Sequence, residues 1–342
     1  MKTYIRLAPR EGDYLETPDR IIFSVKGIIH PPDRVVAYPK YIQTKEGWRR
    51  RQGRCYERIP SLSEACKLLR SRFPEFFPYD PVFGCEQGEV PRSKILRYFT
   101  PVSALAGLRR LVRLDPLQHC TLALAGLLRH KSRIQLSKVG VSGSIMLGLH
   151  TPESDIDLVF YGEESCRKVY RTLRELALSK LEGVRLYEEE DLKALYRSRV
   201  LDTSMPYEDF LRIERGKVLQ GKFQGRDYFI RLVKEPSEIG ETYGEAYYKA
   251  EGEVEFKAEV VDDCDSIFTP CRYLIENIEY SKGLKVDDLK EVVSFRGRFC
   301  EQARRGDTIS VRGKLEKVCK RDVVYHRVVV GNQRQEYILT VK

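Results

Sequence analysis

"GVSGSIMLGLHTPESDIDLVFYG", Gly140 to Gly162, sets Asp155 and Asp157 inside an apolar strand, shortly after a Gly-Ser pair. Carboxylates are costly in a strand core unless something accepts them. Val139 to Val141 reads as a short strand, and Gly143-Ser144 falls where it turns into the helix "SIMLGLH". A glycine there lets backbone amides approach an anion. Those amides at a helix start, with the Ser144 hydroxyl, suit phosphate oxygens. After the turn "TPES", the alternation of "DIDLVFYG" puts Asp155, Asp157 and Val159 on one face of a strand and Ile156, Leu158 and Phe160 on the other. The apolar face can pack on helices, and the two carboxylates are left side by side.

Adjacent like charges repel unless a cation lies between them, and divalent magnesium (or manganese) with hard oxygen ligands suits the pair. Phosphates held opposite by Gly143 and Ser144 would complete the coordination. The arrangement therefore predicts a nucleoside triphosphate bound through metal ions.

The order apolar strand, Gly-Ser, short helix, Asp-x-Asp, apolar run, from Val139 to Phe160, resembles the signature of the nucleotidyltransferase superfamily typified by DNA polymerase β. The whole chain resembles archaeal predicted nucleotidyltransferases. The resemblance implies that Gly143 and Ser144 hold the triphosphate, that Asp155 and Asp157 bind two metal ions, and that a nucleoside monophosphate is transferred as pyrophosphate leaves. It also implies a further acid on a neighbouring strand, which completes the metal site and receives the proton of the attacking hydroxyl. The candidate strand is "GRDYFIRLV", Gly225 to Val233. Tyr228, Ile230 and Leu232 form its apolar face and leave Asp227, Phe229 and Arg231 on the other. Where the family pattern has an acid between apolar residues, this strand offers Arg231, so Asp227 is assigned as the third catalytic and metal-binding carboxylate. Arg231 is open to two readings, a phosphate ligand or a salt-bridge partner of Asp227.

The flanking sequence divides into four units. Residues 1–60 read as a β-meander, with "RIIFSVKG" and "RVVAYPKYIQ" as strands around the turn "IIHPPD". Residues 61–135 read as helical, with "SLSEACKLLRSRF", "PRSKILRYF", "SALAGLRRLVRL" and "DPLQHCTLALAGLLRHK" spaced in threes and fours. Residues 136–238 form the nucleotidyltransferase core. A turn-rich acidic stretch then leads to short strands over 239–342, read as a small OB-like β-barrel. The fold class expected is α+β: a mixed core sheet with helices on one face, an N-terminal β plus helical region and a C-terminal β-barrel.

Charge points to a polyanion. The 342 residues carry a formal net charge of +10, and residues 1–135 alone hold about 25 Lys and Arg against about 13 Asp and Glu. In "EGWRRRQGRCYER", Trp48 and Tyr56 accompany Arg49, Arg50, Arg51 and Arg54, a mixture suited to stacking on bases and gripping phosphates of RNA. Arg109, Arg110, Arg113, Arg129 and Arg133 either line a cleft mouth or form a solvated helix face, and His30 between a turn and two prolines reads as structural. The nine cysteines lack a Cys-x-x-Cys pair and read as core residues, against a zinc ribbon or a disulfide framework. Two asparagines and three methionines amid abundant Arg, Lys and Glu fit a protein that works hot. With neither a membrane-span run nor a signal-like start, a cytoplasmic protein is expected.

The reading is a metal-dependent nucleotidyltransferase, with RNA favoured as acceptor because two flanking modules and a basic N-terminal half exceed what a small acceptor needs. Its alternatives are a non-catalytic nucleic-acid-binding protein that keeps the fold, and transfer to a protein or small-molecule acceptor.

Overall fold

The computed structural model describes residues 8–200 and 205–341. The long strand Arg34–Thr44 organises the N-terminal half, pairing antiparallel with Ile21–Val25 on one edge and with Arg54–Arg58 and Glu89–Pro91 on the other. Tyr14–Glu16 and then Arg97–Phe99 extend the sheet beyond Ile21–Val25, and Arg49–Arg51 closes its opposite end. Period-two alternation gives this sheet two apolar faces. Ile21, Phe23, Val25, Val35 and Ala37 pack against the helix Leu62–Arg72 and Phe76, whereas Tyr14, Ile22, Tyr41 and Tyr56 pack against Leu147 and Leu149 of the core. Ser61 caps that helix by accepting a hydrogen bond from the Glu64 amide, 3.1 Å.

"PRSKILRYF" departs from the helix expected of it. Arg92–Lys94 is a single 3₁₀ turn and Arg97–Phe99 is a strand paired with Tyr14–Glu16. Tertiary pairing overrides a weak helical pattern here, because the Tyr98 hydroxyl donates to Asp13 at 2.6 Å and ties the segment to the sheet edge. The helix Pro116–Lys131 forms as its sequence predicts, with a reciprocal capping box between Asp115 and Gln118.

The core sheet runs in the order Val139–Val141, Ile156–Tyr161, Arg226–Val233, Gln220–Phe223, Val184–Arg185. It is mixed, because Ile156–Tyr161 and Arg226–Val233 are parallel while the other neighbours are antiparallel. Ile156, Leu158, Phe160, Ile230 and Leu232 point to the helices Pro116–Lys131 and Glu163–Leu178, which bury them with Leu124, Leu128, Val169 and Leu173. Burying such side chains contributes roughly 1.5–3 kcal/mol each. The opposite face carries Asp157, Asp227 and Arg231, and beside them Val159, Tyr161 and Val233 are buried with Ile28 and Val102. The chain is therefore a mixed α/β structure.

The last six strands pair in the order Ala246–Asp262, Cys271–Lys282, Leu289–Ser294, Val323–Val329, Thr308–Lys320, Tyr337–Val341, and Thr308–Lys320 also pairs back with Ala246–Asp262. Three sets of contacts join the parts of the chain into a ring. Ser142 Oγ donates to the Gly12 carbonyl at 2.7 Å, the Val218 and Leu219 amides donate to Glu301, and the Tyr248 amide donates to the Val82 carbonyl at 2.8 Å. A cavity of about 1610 Å³ lies inside that ring, lined by Lys26, Lys40, Asp155, Asp157, Asp227 and Arg231 among others.

Candidate active site

The strand Val139–Val141 ends at Ser142, whose amide donates to the Asp157 carbonyl at 2.9 Å and so ties the turn to the aspartate strand. Gly143 then adopts φ +61°, which favours glycine. A Cβ at this position would lie 2.0 Å from Asp157 Oδ2. Glycine is thus needed twice, for the backbone angle and for the room the carboxylate takes. Ser144 follows, buried, in the short helix Gly143–Leu147 that Gly148 ends at φ +65°.

Asp155 is exposed and Asp157 half-buried, both on the face left free by the alternation. Among the described residues neither side chain has a hydrogen bond or ion pair. Burial, and then the Asp155 charge, push the Asp157 carboxyl up to about 6, against the pull of Arg231, Arg58 and Lys40. A carboxylate held in this state gains most from a hard cation, and a magnesium ion that takes its other ligands from phosphates and water needs only one or two protein carboxylates. Asp155 and Asp157 fit that role. Among the described residues no group of three His, Cys, Asp or Glu side chains is gathered to hold a metal ion unaided.

Parallel pairing sets Tyr228 opposite Ile156, Phe229 opposite Asp157 and Arg231 opposite Val159, so Asp227, Phe229 and Arg231 share the face of Asp155 and Asp157. The residue in register with Asp157 is therefore aromatic. Phe229 packs on the 3₁₀ turn Gly297–Phe299, where a Cβ on Gly297 would meet its ring at 2.6 Å. Asp227 lies one step before the residues paired with Ile156–Tyr161 and opposite Lys222 in the neighbouring strand; it is exposed, and its Oδ2 is 2.9 Å from the Lys222 ammonium. Burial, and then the Asp227 charge, raise the Tyr187 phenol beside it. Arg231 makes no pair with Asp227. Its Nε lies 3.6 Å from Glu11, a carboxylate 1% exposed that also takes the Lys26 ammonium at 3.0 Å and the Gly27 amide at 2.8 Å.

Three cationic residues here gave no signal in the sequence. Lys26, Lys40 and Arg58 come from the N-terminal sheet, about a hundred or more positions before the aspartates, and their charges reach the site. Burial, and then repulsion from Arg58 and Lys26, bring the Lys40 ammonium down to about 7. A lysine between Pro39 and Tyr41 in an apolar strand is the one hint a sequence could offer.

The arginine cluster divides by strand alternation. Arg49 is buried, donates to the Leu149 carbonyl at 2.6 Å and stacks on Trp48 and Tyr41, while Arg51 lies 3.5 Å from Glu16 and over the Phe99 ring. These two hold the N-terminal sheet to the core and to itself. Trp48 is 65% exposed, Arg50 is exposed and Arg54 is half-buried. Arg109, Arg110, Arg113, Arg129 and Arg133 are exposed and do not line the central cavity. His30 is structural, bonded to the Pro9 carbonyl at 3.0 Å and to the Val36 amide at 3.2 Å, and burial lowers its pKa to about 4. All nine cysteines are free thiols, with Cys264 exposed and the rest buried or half-buried. Among the described residues no helix is long and apolar enough to cross a membrane.

Residues 125–210 match the family model described as a nucleotidyltransferase domain. Over 338 residues, 96% of this chain and 97% of its relative, the sequence is 28% identical to an uncharacterized protein of Methanocaldococcus jannaschii. No solved structure matches the chain. The segment matched by the family model contains the Gly143-Ser144 turn and both aspartates, so the chain resembles the polymerase β-like nucleotidyltransferases in the residues that form this site.

Proposed function

We propose that the protein is a metal-dependent nucleotidyltransferase that moves a nucleoside monophosphate from a nucleoside triphosphate to RNA. The observation that carries this reading is the contact between Asp157 and Gly143, which sets a metal-binding carboxylate directly against a turn suited to phosphate. Gly143 and Ser144 hold phosphate oxygens. Asp155 and Asp157 would hold magnesium or manganese, which would supply Lewis-acid stabilisation of the transferring phosphoryl group. Asp227, on the same face, takes the proton of the acceptor hydroxyl as its oxygen bonds to the α-phosphorus and the bond to pyrophosphate breaks. Lys222 orients that carboxylate. The size of the central cavity supports an acceptor larger than a metabolite, and Trp48, Arg50 and Arg54 offer a stacking and phosphate-gripping surface. The strand order of the C-terminal unit, closed by the pairing of Thr308–Lys320 with Ala246–Asp262, supports an OB-like nucleic-acid-binding barrel.

A non-catalytic binding protein is the second reading, favoured by Phe229 in register with Asp157 and by the Lys222 hold on Asp227. Incubating the full chain with each radiolabelled nucleoside triphosphate, magnesium or manganese, and total cellular RNA separates the two. Label in RNA that disappears in Asp157→Ala is expected. Magnesium-dependent nucleotide binding with no label entering RNA, protein or small molecules, from any nucleotide, overturns the enzyme reading.

A further inference from the structure

Resting on the nucleotidyltransferase reading, we infer that Lys40 of the N-terminal sheet is the residue that grips the β- and γ-phosphates of the bound nucleotide, the part that leaves as pyrophosphate. Lys40 is the extra residue of a β-bulge. In the antiparallel pair of Ile21–Val25 with Arg34–Thr44, Ile22 faces Tyr41 and the next residue, Phe23, faces Pro39, which leaves Lys40 unpaired between them. Bulges re-aim a side chain, and they recur beside active sites. Here the re-aimed side chain lines the central cavity together with Asp155, Asp157 and Arg231.

Charge accounting distinguishes Lys40 from its neighbours. Lys26 and Arg231 share Glu11 as their counter-ion. Lys40 is half-buried and, among the described residues, has no carboxylate partner. The charges that act most on it are the cations Arg58 and Lys26, followed by Asp157, the one of the site's two aspartates it feels, and then by the cation Arg296. A half-buried cation surrounded chiefly by cations is poorly placed unless an anion arrives. The anion expected is a polyphosphate, because Asp157 is the aspartate that sits on the Gly143-Ser144 phosphate turn. Asp155 and Asp227 act instead on Tyr187, on the side where the acceptor hydroxyl must come. The N-terminal sheet is therefore part of the nucleotide site, and the chain takes its triphosphate only with that sheet docked on the core.

The test is calorimetry on the full chain with magnesium, comparing a nucleoside triphosphate, the corresponding nucleoside monophosphate and inorganic tripolyphosphate. Lys40→Met is expected to weaken triphosphate and tripolyphosphate binding by about tenfold to a hundredfold, the loss of one or two charge-assisted hydrogen bonds, and to leave the monophosphate unchanged. Lys40→Arg should recover most of the loss, and an unchanged melting temperature shows that folding is intact. Equal weakening of monophosphate and triphosphate, or no weakening while Asp157→Ala loses metal-dependent binding, overturns the assignment and leaves the site reading standing. Absence of magnesium-dependent triphosphate binding by the unmodified protein overturns both.

Discussion

Replacing Gly143 by alanine tests the geometry on which the site depends, and Gly148→Ala is its internal control. Both glycines have left-handed φ, +61° and +65°, so each substitution carries the same conformational cost, about 1–2 kcal/mol. Their surroundings differ. A Cβ at Gly148 meets nothing within 4 Å, whereas one at Gly143 lands 2.0 Å from Asp157 Oδ2. The carboxylate must then retreat by about 1.4 Å or more to reach ordinary contact, and a displacement of even about 1 Å at a reacting centre costs about a hundredfold in rate. Thermal denaturation of the two variants should therefore show similar losses of stability. Manganese-dependent nucleotide binding and single-turnover transfer should fall in Gly143→Ala alone. Equal functional losses in the two variants would refute the claim that Gly143 is there to admit Asp157.

With the Asp157 carboxyl at about 6 in the metal-free protein, metal binding must displace a proton below that pH. Magnesium-dependent nucleotide affinity, read by calorimetry, should fall about tenfold per unit below pH 6. The sign for stability runs the other way: a carboxyl raised on folding stabilises the metal-free chain at low pH, and that contribution is lost as pH rises through about 6. Magnesium should restore it, as melting scans at pH 5 and 7.5 will show. Asp227→Asn should keep nucleotide binding and slow transfer by about 10²–10⁴-fold, and a rate within twofold of the parent removes it from proton transfer. Arg50→Ala with Arg54→Ala should lower RNA affinity and reduce the slope of log affinity against log salt by about 2. Arg49→Ala should instead cost about 1.5–3 kcal/mol in chemical denaturation, through the lost hydrogen bond to the Leu149 carbonyl.

What was legible in the sequence was what depends on a strong local period, whereas the weak helical period of "PRSKILRYF" gave way to strand pairing. Alternation over "DIDLVF" and "DYFIRLV" placed Asp155, Asp157, Asp227, Phe229 and Arg231 relative to their own strands, and parallel pairing then set all five on one face. The Gly143-Ser144 turn and the Asp115 cap are likewise short-range chemistry, in which a backbone angle or an orphan amide demands a particular residue within a few positions. The sequence could not say which charges meet. Arg231 pairs with Glu11, far away in the chain, and Asp227 with Lys222, because the fold brings those partners to the strand faces that local period had already exposed. Alternation also split the arginine run once tertiary packing had chosen which face of Arg49–Arg51 turns inward. Above all, tertiary structure delivered Arg58 and Lys40 to the aspartates, since a side chain's electrostatic environment is set by neighbours in space. A bulge shifts a single residue, and that shift becomes meaningful only when a second sheet faces it.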